Sequence, residues 1–511
     1  MQQLSGLDAS FLHLETAEMP MHVGAAHVLE LPPGYRGNWT AQLRRHLRER
    51  LPAMPALSRK LVAMPLGLAN PAWVDCEVDM GYHVTEVRLS KPGGYEAFAQ
   101  VVAELHAQPL DRSRPLWQFT VVKGIAPGQI GLFTRLHHAG VDGQAAVAIA
   151  QIILDPGPEP RPPPTAVAAR RPHQLGLGEM IGGMLSNQVT QLSQLLRSAP
   201  GLARAVTASL REKSGEISQA GGLKALAGTS IGLAPRTVFN GSIGSARVFA
   251  PARLSLPRAR ALGKAHQGSL NDVVLAVCAG ALRSYLTRHG ALPRKPLVAA
   301  VPVSLRQEGD DRSNNQASMT VVTLATQVAD PRQRFLAQLA AGAAMKQSLS
   351  RWKSLMPTDF PSMGLPWLMS RAARLYGRAR LAERIPVIAN LVISNVPGPP
   401  FPLYLAGARM ERYNPVSIVV HGLALNITIQ SYDGKLEFGL VGCARAVAAI
   451  AELAHDIEDE FDRLVLAMAE PAPPQAAPDA AAKVPDGGLA RSNDAGRKPA
   501  RRRRKTGDHS E

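Results

Sequence analysis

Hydrophobic positions in the first 155 residues follow two different periods. Apolar side chains that recur every three or four residues predict helices over 39–51, 95–106 and 144–154. Shorter alternating or continuous apolar runs predict strands over 23–31, 117–123 and 130–136. Because both periods alternate along the chain, residues 1–155 are predicted to form a mixed α/β domain.

A second stretch, residues 236–468, repeats this mixed pattern. Helices are predicted over 270–285, with Ser269 or the Asn271-Asp272 pair as the cap, and over 447–468. Strands are predicted over 296–305, 318–324, 391–396 and 423–431. The second stretch is therefore predicted to be a C-terminal α/β domain.

The two mixed regions are separated and followed by segments of different composition. Consecutive prolines at 157–164 exclude helix, and apolar positions 181, 185, 189, 192 and 196 then predict an amphipathic helix. Residues 156–235 are interpreted as a Pro-rich, partly helical crossover between the domains. Residues 469–511 are rich in Pro and Ala and then basic, so a disordered tail is expected.

Length, apolar content and cysteine number argue against a membrane-spanning, secreted or disulfide-rich protein. A chain of 511 residues exceeds the size of one ordinary core, and no apolar stretch reaches the ~18–20 residues of a membrane-spanning helix. The N-terminus lacks signal-peptide character, and three separate cysteines indicate neither a disulfide framework nor a zinc site. A soluble, cytoplasmic protein is expected.

The formal net charge of +17 suggests a polyanionic partner. Part of this charge lies in the tail, at Arg501-Arg502-Arg503-Arg504-Lys505. Because no nucleic-acid-binding signature accompanies the charge, nucleic acid is not expected as a partner. Cofactor phosphates and anionic lipid headgroups account for the same charge.

The segment with the most specific chemistry is residues 137–143 (HHAGVDG), called the histidine motif below. It follows a predicted strand and precedes a predicted helix, so His137 and His138 are expected at a cleft. An imidazole titrates near neutral pH and serves as a general base, here for a hydroxyl or amine nucleophile. Asp142 and Gly143 suit a turn that enters a helix, with the Asp142 carboxylate as its cap.

The motif has the form HHxxxDG and resembles the signature of the CoA-dependent acyltransferase superfamily, which includes chloramphenicol acetyltransferase and peptide-synthetase condensation domains. Further segments resemble the bacterial wax ester synthase/diacylglycerol acyltransferase family in particular. These segments are 7–11 (LDASF), 20–24 (PMHVG), 115–117 (PLW), 269–274 (SLNDVV), 301–306 (VPVSLR), 393–399 (ISNVPGP) and 421–427 (HGLALNI). The ordered set extends from about residue 4 to residue 466.

The resemblance implies two chloramphenicol acetyltransferase-like domains with the active site at their interface. It implies acyl-CoA as co-substrate, no cofactor and no metal, and diacylglycerol or a long-chain alcohol as acceptor. The products would be triacylglycerol or wax esters. His138, the second histidine of the motif, takes the position of the family's proton acceptor.

Each remaining candidate residue has a structural alternative. His137 is expected to support the loop or line the entrance, and Asp142 either orients His138 or fixes the loop. Asn271 either donates to the oxyanion or, with Asp272, caps a helix. Pro115, Leu116 and Trp117 form either a wall for the acyl chain or part of the core. Asn395, with Pro397 and Gly398, suggests a rigid turn near the mouth of the site.

Two further features bear on mechanism and attachment. No GxSxG elbow is found, which favours direct transfer over an acyl-serine intermediate. Residues 367–384 are basic and amphipathic, so they either contact an anionic membrane or lipid-droplet surface or pack as an ordinary solvated helix. The rival functions are a condensation-type acyltransferase with a carrier-bound donor and a non-catalytic lipid-surface protein.

Overall fold

The computed structural model describes residues 2–65, 69–141, 143–164, 234–304, 317–352, 370–371, 375–377 and 379–469. Its α-helices are α1 (Gly6–Leu14), α2 (Trp39–Arg50), α3 (Met80–His83), α4 (Gly94–His106), α5 (Gly143–Ile153), α6 (Leu256–Ala265), α7 (Leu270–Arg288), α8 (Pro331–Trp352) and α9 (Ile450–Ala469). Its strands are β1 (Gln2–Gln3), β2 (His22–Glu30), β3 (Arg59–Val62), β4 (Ala72–Asp75), β5 (Val84–Arg88), β6 (Trp117–Lys123), β7 (Gln129–His137), β8 (Arg247–Ser255), β9 (Leu297–Ser304), β10 (Ala317–Leu324), β11 (Leu391–Val396), β12 (Tyr404–Leu405), β13 (Ala408–Val416), β14 (Leu425–Tyr432) and β15 (Lys435–Cys443). Short 3-10 helices lie at Leu51–Ala53, Pro55–Ser58, Val238–Asn240 and Leu381–Glu383.

The first sheet has six strands in the order β12-β13-β2-β7-β6-β5. Strand β7 is antiparallel to both of its neighbours, with His137 opposite His22 and Leu136 opposite Trp117. Strand β5 is parallel to β6 and forms the edge. Because β7 is paired with β2 as far as His137, and the His137 N–H donates to the carbonyl oxygen of Leu116 before β6, the start of the histidine motif has a fixed position.

The second sheet also has six strands, in the order β10-β9-β11-β14-β15-β8. Strand β11 runs parallel to β9 and β14, and the remaining pairs are antiparallel. Helix α7 is buried along most of its length, and Leu275 and Leu282 share one core cluster with Ile427, Phe438 and Phe461. An all-round apolar helix of this kind belongs in the middle of a packed layer.

Strand β13 links the two sheets. It pairs antiparallel with β2 in the first sheet, although β14 and β15, which follow it in sequence, belong to the second. A Cβ atom on Gly439 of β15 would lie 1.6 Å from the carbonyl oxygen of Pro415, so the strands cross where only glycine fits. Beside this crossing, the Asn414 side chain donates to Glu437 over 3.0 Å. Burial raises the pKa of Glu437, whose carboxylate also pairs with Arg253.

The predicted mixed α/β class is confirmed by these two sheets and their helices. The predicted elements within the described ranges are present, with ends that differ by at most three residues from the prediction, and the strands over 117–123 and 391–396 have the predicted bounds. The elements that the sequence pattern did not predict are α1, α3, α6, α8, β1, β3, β4, β5, β8, β12, β13 and β15. The domain boundaries at 155 and 236 stay a prediction, and β13 shows that a strand from beyond residue 236 completes the first sheet.

Some predicted features fall outside the described ranges. They are residues 165–233 of the crossover, with the amphipathic helix predicted near 181–196, and the basic tail after residue 469. Within the described ranges, none of the helices combines the length and apolar character needed to cross a bilayer.

Candidate active site

The histidine motif begins on the last residue of β7 and turns at once. The N–H of Gly140 donates to the carbonyl oxygen of His137 over 2.9 Å, which closes the turn, and α5 begins at Gly143. Because β7 ends at His137 and His138 already belongs to the turn, the two histidines differ in environment. His137 is fully buried, whereas His138 is only half-buried. The partly accessible imidazole is therefore the second one.

His137 is held by hydrogen bonds at both ring nitrogens. The N–H of Ala139 donates to its Nδ1 over 3.1 Å, so Nε2 carries the proton that is donated to Glu15 Oε2 over 2.8 Å. Both nitrogens of a neutral ring are then engaged. These contacts fit the predicted supporting role for His137, because both ring nitrogens are already engaged in hydrogen bonds within the protein.

Glu15 connects the motif to the N-terminal segment. Its carboxylate accepts from the N–H of Met21 over 3.0 Å and from the Arg112 guanidinium over 2.9 Å and 3.1 Å. Burial alone would raise the pKa of Glu15, but His137, Arg112 and the Met21 N–H together lower it below its ordinary value. Glu15 is therefore a buried, ionised anchor for the His137 ring.

Two buried imidazoles lie behind His137. His22, its cross-strand partner, is fully buried and packs edge-on against His106, with 4.8 Å between ring centroids. Burial lowers the pKa of His22 well below its ordinary value and lowers the pKa of His106 to about 3. Both rings are consequently neutral at physiological pH, and the charged group in direct contact with the His137 ring is the Glu15 carboxylate.

His138 is oriented by an aromatic neighbour. Its ring stacks on that of Phe11 in α1, with centroids 4.1 Å apart and planes inclined by 9°. Its backbone N–H donates to the carbonyl oxygen of Met21 over 2.9 Å. A ring held by one face keeps its nitrogen-bearing edge in a constant direction, and a general base requires such fixed placement.

An apolar shell covers the turn from the side of α1. Ala139 belongs to a buried cluster with Leu12 of α1 and Leu116, and Trp73 packs against this cluster. A Cβ atom on Gly140 would lie 3.4 Å from the Trp73 ring. An apolar surround of this kind limits the access of water to the reacting groups.

Of residues 115–117, Leu116 lies beside the candidate site and Trp117 lies in the core. The carbonyl oxygen of Leu116 accepts from the N–H of His137 over 2.9 Å, and Leu116 lies in the apolar shell. Trp117 is 1% exposed, and its indole N–H donates to the carbonyl oxygen of Leu57 over 2.8 Å. Pro115 precedes them and is buried. A contact of Pro115 or Leu116 with an acyl chain stays a prediction.

Asp272 caps helix α7. Its carboxylate accepts from the N–H of Ser269 over 2.8 Å and from its hydroxyl over 2.6 Å, completing a capping box. Lys346 of α8 donates to the same oxygen over 3.3 Å. The described contacts of Asp272 are thus those of a cap, and Asn271 lies half-buried in the same first turn. The contacts of Asn271 with the oxyanion and of Asp272 with substrate stay predictions.

Asn395 lies on β11, opposite Ile429 of β14, and is followed by a fixed turn. The N–H of Gly398 donates to the Ser431 hydroxyl over 2.8 Å. A Cβ atom on Gly398 would lie 2.1 Å from the carbonyl oxygen of Ser431, so the turn requires glycine. The structure shows a hydrogen-bonded turn here, while its rigidity, its position at the mouth of the site and the role of Asn395 stay predictions.

The structure brings His137 and His138 together with Leu116 and with two residues that the sequence did not nominate, Phe11 and Glu15. Phe11 is the last residue of the segment 7–11, and Glu15 follows that segment. The resemblance of the segment to the family was the sequence signal that could have pointed to both residues. Asp142 lies outside the described residues. In the described part of the chain, no cluster of three or more His, Cys, Asp or Glu side chains is arranged to hold a metal ion.

Replacing Phe11 by leucine tests the stacked contact. Leucine preserves most of the apolar volume but removes a ring contact worth about 0.5–1.5 kcal/mol. If this contact orients His138 in the transition state, kcat is expected to fall by about 2- to 10-fold with little change in KM. Steady-state kinetics would measure this, with Tyr95→Leu, an exposed aromatic residue, as the control. An unchanged kcat would contradict the orienting role.

The protein is a two-sheet α/β protein with a pair of histidines at the end of a strand. Comparison with known proteins identifies the family to which it belongs. The family described as "Wax ester synthase/diacylglycerol acyltransferase catalytic domain" matches residues 4–274, and its "WS/DGAT C-terminal domain" matches residues 313–465. The chain therefore belongs to the wax ester synthase/diacylglycerol acyltransferase family.

Individual relatives agree with this assignment. The chain is 33% identical to a Mycobacterium tuberculosis protein provisionally named a diacylglycerol O-acyltransferase, over 91% of this chain and 100% of that one. It is 32% identical to the O-acyltransferase WSD of Acinetobacter baylyi, over 90% and 96% of the two chains. The solved wax ester synthase/diacylglycerol acyltransferase of Marinobacter aquaeolei VT8 superposes with a TM-score of 0.65, at 30% identity, covering 91% of this chain and 99% of that one. The predicted resemblance is confirmed.

Proposed function

We propose that this protein transfers the acyl group of an acyl-CoA to diacylglycerol or a long-chain alcohol, which yields triacylglycerol or a wax ester. The observation that carries the proposal is the placement of His138. It stacks on Phe11 and is followed by a turn that is anchored through His137 to Glu15. In a member of this acyltransferase family, such an imidazole fits the general base for a hydroxyl group.

The proposed reaction is a direct transfer. His138 takes the proton of the acceptor hydroxyl as its oxygen attacks the thioester carbonyl carbon. The resulting oxyanion is stabilised by hydrogen-bond donors, among which we propose the Asn271 amide. The carbon–sulfur bond then breaks, the proton passes from His138 to the departing thiolate, and free CoA and an ester result.

Other residues have supporting roles in this proposal. Asp142 fixes or orients the turn, and Gly143 allows the chain to enter α5. Leu116 and Pro115 contribute apolar surface near the acyl chain, and Asn395 contributes to the mouth of the site. Trp117 and Asp272 act indirectly, through the core and through the cap of α7.

We also propose that the reaction takes place at a lipid surface on the cytoplasmic side of the membrane or on a lipid inclusion. Diacylglycerols and long-chain alcohols partition into such phases, and the net charge of +17 favours anionic headgroups. No cofactor takes part in the proposed reaction, in which acyl-CoA is consumed as a substrate.

Release of the CoA thiol tests the proposal. Palmitoyl-CoA is supplied with hexadecanol, with dioleoylglycerol or without acceptor, and the free thiol and the lipid product are measured. Acceptor-dependent release with formation of the matching ester is the expected result. Transfer from a palmitoyl carrier protein but not from palmitoyl-CoA would replace the proposal with the condensation-type reaction. Lipid binding without transfer from either donor would replace it with the non-catalytic function.

A further inference from the structure

Exposed aliphatic side chains gather in two neighbouring segments of the chain. Val238, Leu375, Ile385 and Ile388 are each between 45% and 63% exposed. Single exposed apolar residues are ordinary, but a group of large ones on adjacent segments indicates a binding surface. We propose that these four residues bind an anionic phospholipid bilayer together with the neighbouring arginines. The eight residues, which include Arg236, Arg371, Arg380 and Arg384, are called the docking surface below.

Hydrogen bonds hold the two segments side by side. The Arg236 guanidinium donates to the carbonyl oxygens of Ala382, over 3.1 Å, and Ile385, over 2.7 Å. The N–H of Ala234 donates to the carbonyl oxygen of Val387 over 2.8 Å. Val238 therefore lies on the segment that is bound directly to the segment carrying Ile385 and Ile388. The backbone therefore holds the segments that carry these exposed aliphatic side chains next to each other.

The charges of the docking surface match a negative bilayer. Arg236, Arg371, Arg380 and Arg384 are exposed, and Glu383 is the exposed acid in the same described segments. Aliphatic side chains that enter the headgroup layer and arginines that meet phosphate groups are the two components of interfacial binding. The excess of arginine favours anionic over zwitterionic lipid.

The docking surface is joined to the candidate active site. The Ser370 hydroxyl lies 3.3 Å from Nδ1 of His13, which belongs to α1 between Phe11 and Glu15. Tyr376 packs edge-on against His421, with 6.0 Å between ring centroids. A lipid surface bound here would therefore lie beside a segment that contacts the helix carrying Phe11. The inference rests on the proposed function for its substrates, since it supplies the route by which a lipid acceptor comes near the site.

Vesicle binding by matched variants of the full chain tests the docking surface. The first variant carries Arg380→Gln, Arg384→Gln, Ile385→Ser and Ile388→Ser. The control carries Arg45→Gln, Arg48→Gln, Leu336→Ser and Leu466→Ser, which removes the same charge and two exposed aliphatic side chains elsewhere. Both are sedimented with phosphatidylcholine vesicles with and without about one third phosphatidylglycerol. Thiol release with octanol, which dissolves in the buffer, is measured in parallel.

The expected result is at least a tenfold lower partition coefficient on the anionic vesicles for the docking variant. The control should bind like the wild type, and both variants should keep thiol release with octanol. Equal binding by the docking variant and the wild type would overturn the inference, as would an equal loss in both variants or wild-type binding that does not depend on anionic lipid. Absence of thiol release from the wild type would instead overturn the proposed function, so the two failures are distinguishable.

Discussion

Replacing His138 by alanine is expected to lower kcat for CoA thiol release by about 10³-fold, within the 10²–10⁴-fold range of a positioned general base. The substitution removes the imidazole that stacks on Phe11 and leaves the acceptor hydroxyl without a group to take its proton. KM for acyl-CoA should change little, because the proton transfer is a transition-state interaction. Steady-state assays with palmitoyl-CoA and hexadecanol or dioleoylglycerol would measure both constants.

Two controls separate loss of the base from loss of the fold. His455→Ala removes an exposed imidazole on α9 and should leave kcat unchanged. Circular dichroism and thermal unfolding should show that His138→Ala is folded, since its half-buried ring contributes only part of the packing around Phe11. A folded His138→Ala protein with wild-type kcat would show that another group takes the proton.

The sequence predicted elements whose pattern is set locally. Strand β6 was predicted with its observed bounds, 117–123, because its apolar run is bordered by residues that do not continue the pattern. Helix α2 was predicted because one face is apolar and the other charged, and Asn38 caps it by accepting from the N–H of Ala41. The start of α7 followed from the Ser269 cap in the same way.

The sequence did not predict features that arise from distant contacts. Strand β13 carries Arg409, Glu411 and Arg412 beside its buried residues, and its place in the first sheet depends on pairing with β2 and crossing β15. No local period encodes that pairing.

The candidate site shows the same division. The position of His137 and His138 at a strand end was predictable, because both the strand and the following helix have clear patterns. The carboxylate that holds His137 comes from Glu15, 122 residues earlier in the chain. Phe11 likewise reaches His138 only because α1 packs on the turn. The chemistry of the histidine motif could be inferred from the sequence. The groups that orient its two imidazoles depend on tertiary packing and could not.

Replacing Glu15 by alanine is expected to lower the free energy of unfolding by about 3 kcal/mol, because buried donors lose their acceptor. The affected donors are Nε2–H of His137 and the N–H of Met21, while the Arg112 guanidinium is partly exposed and regains water. Urea denaturation would measure the loss. Glu77→Ala, at an exposed carboxylate, is the control and should change stability by less than about 0.5 kcal/mol.

The Glu15→Gln variant separates charge from packing through its pH dependence. The folded-state pKa of Glu15 lies below its ordinary value of 4.5, so the carboxylate stabilises the fold above pH 4.5. That contribution is lost as the pH falls through the lowered folded-state pKa. The difference in unfolding free energy between wild type and Glu15→Gln should therefore be constant from pH 7 to about pH 5 and shrink below pH 4.5. Because the two proteins share all other carboxylates, their titration cancels in this difference. If the difference in unfolding free energy stayed constant down to acid unfolding, the charge of Glu15 would not stabilise the contact with His137. Glu15 would then contribute through packing and uncharged hydrogen bonds only.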